Sequence, residues 1–337
     1  MAALTRSRVA IIGAAGLIGQ ALARRLAADP RVATLILADR VPSPGPANSP
    51  NPADLAVEIR TGDFCDPAFA RRLWRDADCV FHLAALLATE TEANLQRGIA
   101  VNVTGLIQLL ALGAETRSGR PPPRLVYTSS IAAFGGPLPE TVDDTVARTP
   151  RTSYGTHKAI AELLIDDHTR RGLVDGRVLR LPIVLTRNGP ASAAVSDRVA
   201  ALIREPLLGR DVVCGLRPGT RMPVASAACV AAALWRLATL DAAALPPARA
   251  MNLPSLSVTA QELADAVARA PVIPQGRVTW SPDPALQAIV DGWPRRFASA
   301  RATALGLEAD ASADAIVMRF LAENGLAREA PDRGSPA

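Results

Sequence analysis

Lysine is all but missing from this chain. Of the 37 basic residues in 337, a single one is lysine, Lys158, and the rest are arginine. Wherever a generic cation serves, the sequence uses Arg. A solitary Lys therefore marks a place where a wide planar fork does not work and a compact ammonium of tunable pKa does. Tyrosine is nearly as scarce, with Tyr127 and Tyr154 alone. Aromatics reach only 4%, and the arginines are scattered, often beside Asp or Glu, so the net charge of +5 reads as solvated surface and not as a nucleic-acid footprint. The four cysteines, Cys65, Cys79, Cys214 and Cys229, form no CxxC pair and no disulfide frame, as expected of thiols in a reducing compartment. Three dispersed histidines, His82, His157 and His168, predict no metal site. No apolar run reaches the roughly 18 residues of a membrane span. Nor does an apolar stretch precede Val9, so no membrane association, no signal peptide and a cytoplasmic location are expected.

What is present is an ordinary globular composition, 49% hydrophobic and 20% charged, enough for one large domain or two unequal ones. In the first half, strand and helix alternate. Strands are predicted over 8–12, 34–38, 56–59, 79–83, 124–128 and 177–181. Helices are predicted over 17–28, 67–75, 92–116 and 154–171, and the Pro-, Ser- and Asn-rich stretch 41–54 is a loop. Strands this apolar, separated by helices, imply a parallel sheet covered on both faces: an α/β, doubly wound Rossmann sheet. The second half is less regular. Helices are expected over 225–240 and 312–323, a strand over 251–253 and a loop over 271–284, while Thr259-x-x-Glu262 is a capping box opening a helix that runs to about Ala270.

The first strand runs into Gly13-Ala-Ala-Gly16-Leu17-Ile18-Gly19, which opens the first helix. Gly13 permits the tight turn, Gly16 lets backbone approach a pyrophosphate, and Gly19 lets the helix lie close to the sheet. Asp39 closes the second strand twenty residues after Gly19, where a carboxylate accepts from the adenosine ribose and repels a 2′-phosphate. The cofactor predicted is therefore NAD in preference to NADP, with Arg40 as the neighbour able to favour the phosphate. Gly62-Asp63 and Leu83-Ala84-Ala85 end the third and fourth strands, where the ligand crevice of such sheets lies. Asp63 either bonds the adenine amine or caps the next turn.

Thr128-Ser129-Ser130 closes the fifth strand, and Tyr154-x-x-x-Lys158 begins the following helix with both side chains on one face. A free phenol titrates near 10 and is a poor base at neutral pH. A nearby ammonium lowers that value. Tyr154 is thus the expected base for an alcohol whose hydride leaves for nicotinamide. Ser130 would hold the substrate oxygen, and Lys158 would also bond the nicotinamide ribose. Tyr127, mid-strand, reads as core, as does His82, while His157 lies on another face of the helix and His168 is expected at the surface.

Together these motifs resemble the extended short-chain dehydrogenase/reductases, the epimerase/dehydratase-like branch, and the resemblance covers nearly the whole chain. It implies Ser130, Tyr154 and Lys158 as catalytic residues. It also implies Asn102 as a supporting helix asparagine, with Leu17, Ile18, Phe64, Ser129 and Pro182 joining the glycines, Asp39, Asp63, Leu83, Ala84 and Ala85 around the cofactor. The division implied is residues 1–185 as the NAD-binding domain, with returning segments near 222–255, and 186–330 mainly as a smaller substrate-binding lobe. Longer stretches, among them 128–140, 152–160 and 170–182, resemble the D-erythronate dehydrogenases of that family. That similarity implies oxidation at C2 of a four-carbon sugar acid, and Ile183 stands where sugar-nucleotide members carry Asn. A 2-hydroxy acid needs its carboxylate held, and Arg187, Arg204 and Arg221 are the candidates. A homodimer through helices 92–116 and 154–171 is likewise implied by the resemblance. Two alternatives stand beside this reading: a nucleotide-sugar epimerase or dehydratase that recycles NAD, and a non-catalytic NAD-binding regulator.

Overall fold

In a computed structural model, residues 6–46, 55–116, 121–185, 194–272 and 275–326 are described. Seven parallel strands form the main sheet: β1 (Ser7–Ile12), β2 (Val32–Asp39), β3 (Ala56–Thr61), β4 (Cys79–His82), β5 (Arg124–Ser130), β6 (Asp175–Leu181) and β7 (Ala250–Asn252). Their order is β3-β2-β1-β4-β5-β6-β7, the doubly wound order with its reversal between β1 and β4. Strand alternation sorts the core into two layers. Val9, Ile11, Leu35, Leu37 and Phe81 pack under helices Leu17–Ala27 and Ala227–Thr239. Ala10, Ile12, Ile36, Val80 and Leu125 pack under helices Pro67–Asp76, Gly105–Thr116 and Ser153–Arg170.

A separate core, including Ile183, Leu185, Val199, Ile203, Met222, Val224, Leu263 and Phe320, organises the C-terminal lobe. Its three-stranded sheet joins Ile183–Leu185, Arg221–Ser226 and Leu256–Thr259. The capping box forms as expected, Thr259 and Glu262 each receiving the other's backbone N–H at the head of helix Ala260–Ala268.

Several elements depart from expectation. The helix predicted from 92 begins at Leu95, after a short helix Ala88–Ala93. It carries a π turn at Ala100–Thr104, a local widening of the kind often found at functional sites. Residues 225 and 226 end a strand and do not start the helix. A strand, Val278–Trp280, interrupts the stretch read as loop. The continuous helix Leu95–Thr116 is also long and apolar enough to cross a membrane by length and composition, contrary to the sequence expectation. Polar residues such as Gln96, Arg97 and Asn102 hid this from a search for unbroken apolar runs. Nearly half of its most apolar window is buried, with the Trp74 indole donating to the Leu109 carbonyl at 2.7 Å and Gly113 lying against the same ring.

Candidate functional site

At the carboxyl edge of β1, Gly13 adopts φ 91°, a backbone state few side chains tolerate. A Cβ there would also sit 2.7 Å from the Ala84 nitrogen, so only glycine lets β1 and β4 end this close together. A Cβ on Gly19 would strike the Gly13 carbonyl. The helix that follows has Gly16 as its N-cap, with no side chain bonded to its first amides and no acid in its first turn. Donors and partial positive charge therefore face the crevice.

That crevice, about 220 Å³, is lined by Gly13, Gly16, Asp39, Arg40, Asp63, Phe64, Leu83, Ala84, Ala85 and Leu86, among others. Eight of the cofactor residues expected from the sequence, Gly13, Gly16, Asp39, Asp63, Phe64 and Leu83 to Ala85, thus meet in one place, and the donor-rich floor and the carboxylate beside it fit a dinucleotide. Asp39 Oδ2 accepts from the Ala15 N–H at 3.0 Å, which ties the end of β2 to the glycine loop. Asp63 caps its own turn, accepting from Cys65 N–H at 2.9 Å, while still lining the crevice. Leu17 and Ile18 are half-buried and pack back onto the core. Pro182 is buried just past the carboxyl end of β6. Asn102 sits in the π turn, 5% exposed, and grips Leu86 at both ends: its amide donates to the Leu86 carbonyl and its Oδ1 accepts the Leu86 N–H, each at 2.9 Å. It acts on the crevice by fixing the loop after β4.

Thr152 caps helix Ser153–Arg170, accepting from the Gly155 N–H at 3.0 Å. The helix lies along β5, and two periodicities match across that contact. Tyr127 and Ser129, two apart on the strand, meet Lys158 and Glu162, four apart on the helix. The Lys158 ammonium donates to Tyr127 Oη at 3.1 Å and to the Thr128 carbonyl at 2.7 Å. The Ser129 hydroxyl donates to Glu162 Oε1 at 2.5 Å. The Ser129 side chain is therefore committed to a buried network, and Ser129 is not among the residues lining the crevice. The same carboxylate, fully buried, receives Arg180 and Arg148.

The lysine lies between both phenols of the chain, its Nζ 4.5 Å from the Tyr127 ring centre and 5.5 Å from that of Tyr154. Burial pushes Lys158 down to about 7, the Glu162 charge opposing. Burial likewise pushes the Tyr154 phenol up to about 12, with a hydrogen bond to Ser130 opposing. The expected lowering of Tyr154 by the ammonium is thus not what the chain's own groups achieve: desolvation of the phenol outweighs it. Tyr127 was read as core only. It is buried, and burial raises its phenol well above 10, but it is also the lysine's side-chain partner. The alternation of β5 was the available signal, since it places Tyr127 and Ser129 on the side that the following helix covers.

The three arginines considered for a carboxylate fare differently. Arg187 lies outside the described residues. Arg204, 1% exposed, is ion-paired to Asp197 at 2.7 Å and Glu205 at 2.6 Å inside the lobe, so it is withdrawn as a substrate ligand. Arg221 lines a hollow of about 520 Å³ with Glu140, Arg217, Thr220, Asp291 and Arg295, which shares no lining residue with the crevice. His82 is buried as expected, and burial holds it down at about 3. His168 is half-buried, its Nδ1 bonded to the Leu164 carbonyl, and not simply at the surface. Among the described residues no cluster of His, Cys, Asp and Glu is gathered for a metal.

The profile of the NAD dependent epimerase/dehydratase family matches residues 9–247. The chain belongs to that family, and it is an NAD-dependent oxidoreductase. A D-erythronate dehydrogenase from Cupriavidus necator is 40% identical over 277 residues, 82% of this chain and 85% of the relative. Another, from Haemophilus influenzae, is 33% identical over 93% of this chain and 98% of its own length. Among solved structures, a nucleoside-diphosphate-sugar epimerase from Agrobacterium tumefaciens superposes with a TM-score of 0.85 at 32% identity, covering 97% of this chain and 98% of that one.

Proposed function

We propose that the protein oxidises C2 of a sugar acid, D-erythronate or a close four-carbon analogue, to the 2-keto acid. One observation carries the chemistry: Tyr154, Lys158 and Ser130 stand together at the same carboxyl edge of the sheet as the glycine-lined crevice. The similarity to the D-erythronate dehydrogenases along most of both chains supports the substrate class.

The Tyr154 Oη takes the hydroxyl proton, Ser130 holds the same oxygen, and Lys158 supplies the positive charge that a buried phenolate requires. Bound NAD supplies the acceptor for the C2 hydride. The crevice residues Gly13, Gly16, Asp39, Asp63, Phe64 and Leu83 to Ala85 hold its adenosine and phosphates, and Asp39 disfavours a 2′-phosphate. Arg221, bonded to the Ser257 carbonyl at 3.0 Å and to Glu262 at 3.4 Å in a hollow apart from the crevice, is not placed to meet the substrate carboxylate.

The test is a panel of C4 to C6 sugar acids, assayed by absorbance of reduced cofactor with NAD and with NADP, beside sugar nucleotides whose conversion is followed by chromatography of the products. NADH formed from a four-carbon acid, with little NADPH, is the expected result. Turnover of sugar nucleotides alone, without net NADH, would transfer the assignment to an epimerase.

A second copy is the proposed partner. Leu95, Ile99, Ile107, Ile160 and Leu163 are each more than a third exposed on helices Leu95–Thr116 and Ser153–Arg170, the two helices through which a homodimer is expected.

A further inference from the structure

We infer that Tyr127 is a positioning residue, anchoring the Lys158 ammonium to β5 between the two phenols of the chain. The inference rests on the proposed roles of Tyr154 and Lys158 and adds a residue that neither the sequence motifs nor the family description assigns.

Lys158 is 2% exposed, and its ammonium must keep its charge where water does not reach. Its two fixed acceptors both come from β5: Tyr127 Oη at 3.1 Å and the Thr128 carbonyl at 2.7 Å. The Tyr127 ring adds its electron-rich face, with Nζ 4.5 Å from the centre. The backbone acceptor is available whatever residue stands at 127, so the phenol is the part specific to this chain. Every other group around the lysine has a distinct part. Tyr154, on the same helix, is the reacting phenol. Glu162, one turn further on, lends negative charge, but Arg180 and Arg148 pair with it. His82, on β4, is held neutral by burial and brings no compensating charge. Tyr127 is thus the side chain that both accepts from the ammonium and fixes its direction, keeping it within reach of Tyr154 without being consumed by it.

Replacing Tyr127 by Phe keeps the ring and removes the acceptor. Since an acceptor favours the ammonium over the neutral amine, its loss lowers the lysine's titration midpoint, by about one pH unit for one hydrogen bond to a charged group. With one lysine in the chain, 13Cε-lysine labelling gives a single side-chain signal that reports this midpoint directly. The expected result is a midpoint about one unit lower in Tyr127→Phe than in the native protein. With Lys158 titrating below Tyr154, the acid limb of kcat/KM follows the lysine and should move to lower pH by the same amount, while the alkaline limb stays. An unchanged midpoint in a folded Tyr127→Phe protein, or a shift on Glu162→Gln with none on Tyr127→Phe, overturns the inference.

Should Tyr127→Phe fail to fold, Tyr154→Phe provides a second route, because it leaves one tyrosine and one lysine. The 13Cζ signal of Tyr127 is then expected to titrate with the same midpoint as the lysine signal. Separate midpoints refute the anchor. Neither titration needs turnover, so failure of the anchor and failure of the oxidoreductase reading are told apart.

Discussion

Lys158 is under opposed demands. Chemistry needs its ammonium, and the fold buries it. Burial places its folded value near 7, below the unfolded 10.5, so the unfolded chain binds the extra proton more readily between those values. The unfavourable contribution to stability is therefore complete below about pH 7 and disappears as pH rises toward 10.5. Lys158→Met should accordingly unfold at a higher temperature than the native protein at pH 6–7 while losing turnover, with the Tm gap narrowing at alkaline pH. A gap independent of pH would show that packing, and not ionisation, sets it. Tyr154 makes the complementary case. Its phenol, pushed up to about 12 by burial, is neutral through the physiological range, so the base works only when positive charge is brought beside it. Tyr154→Phe is expected to lower kcat by about 10²–10⁴ with NAD binding kept, as loss of a general base does. Near-native kcat in that variant would remove Tyr154 from the mechanism. Spacing made the Tyr154/Lys158 pair readable in the sequence, because four residues on a helix is a fixed geometry. Where the ammonium points was not readable, because that depends on which strand the helix covers.

β1 to β6 and the helices between them were legible, falling within a few residues of expectation; five of these strands are buried nearly throughout, while β3, at the sheet edge, is exposed or half-exposed along its length. The C-terminal lobe was less legible. Its strands Ile183–Leu185, Val212–Cys214 and Val278–Trp280 are three residues each, too short for alternation to separate from loop. The π turn around Asn102 left no sequence signal either, since it changes hydrogen-bond partners and not composition. The start of helix Ser153–Arg170 gives an element-scale prediction. Gly155 follows Tyr154 directly, and a Cβ there would collide with the Ala132 carbonyl and crowd Pro150. The obstacle is backbone just past β5, within two residues of Ser130, so it cannot turn aside as a side chain would. Gly155→Ala must lift the first turn of the helix off that segment and carry the Tyr154 phenol with it. We expect kcat/KM to fall at least tenfold, since misplacement of a catalytic group by about 1 Å costs on the order of 10², together with a lower Tm. Native Tm and native kcat/KM together would show that the helix start has room the geometry denies.

At the scale of the whole molecule, one surface has no account within a single chain. Helix Leu95–Thr116 and helix Ser153–Arg170 lie side by side, and their outer faces carry Leu95, Ile99, Ile107, Ile160 and Leu163. Leu163, 57% exposed, follows Lys158 by five positions on the same helix. The apolar face is bordered by polar residues. Glu92, Arg151, Thr152 and Thr156 line a groove of about 560 Å³ that also takes in Leu95, Ile99 and Ile160. An apolar centre with a polar border is the anatomy of a protein interface, and a membrane face would lack charges such as Glu92 and Arg151 within the groove. The inner faces of these helices build the crevice loop, through Asn102, and the catalytic pair, through Tyr154 and Lys158, so pairing of two copies would stiffen both. Leu163→Asp combined with Ile107→Asp is therefore expected to convert a dimer of about 70 kDa by light scattering, twice the 35.2 kDa chain mass, into a monomer with a lower Tm and a reduced kcat. A native protein that scatters as a monomer at all concentrations would refute the dimer. A dimer unmoved by both charges would place its interface elsewhere on the chain.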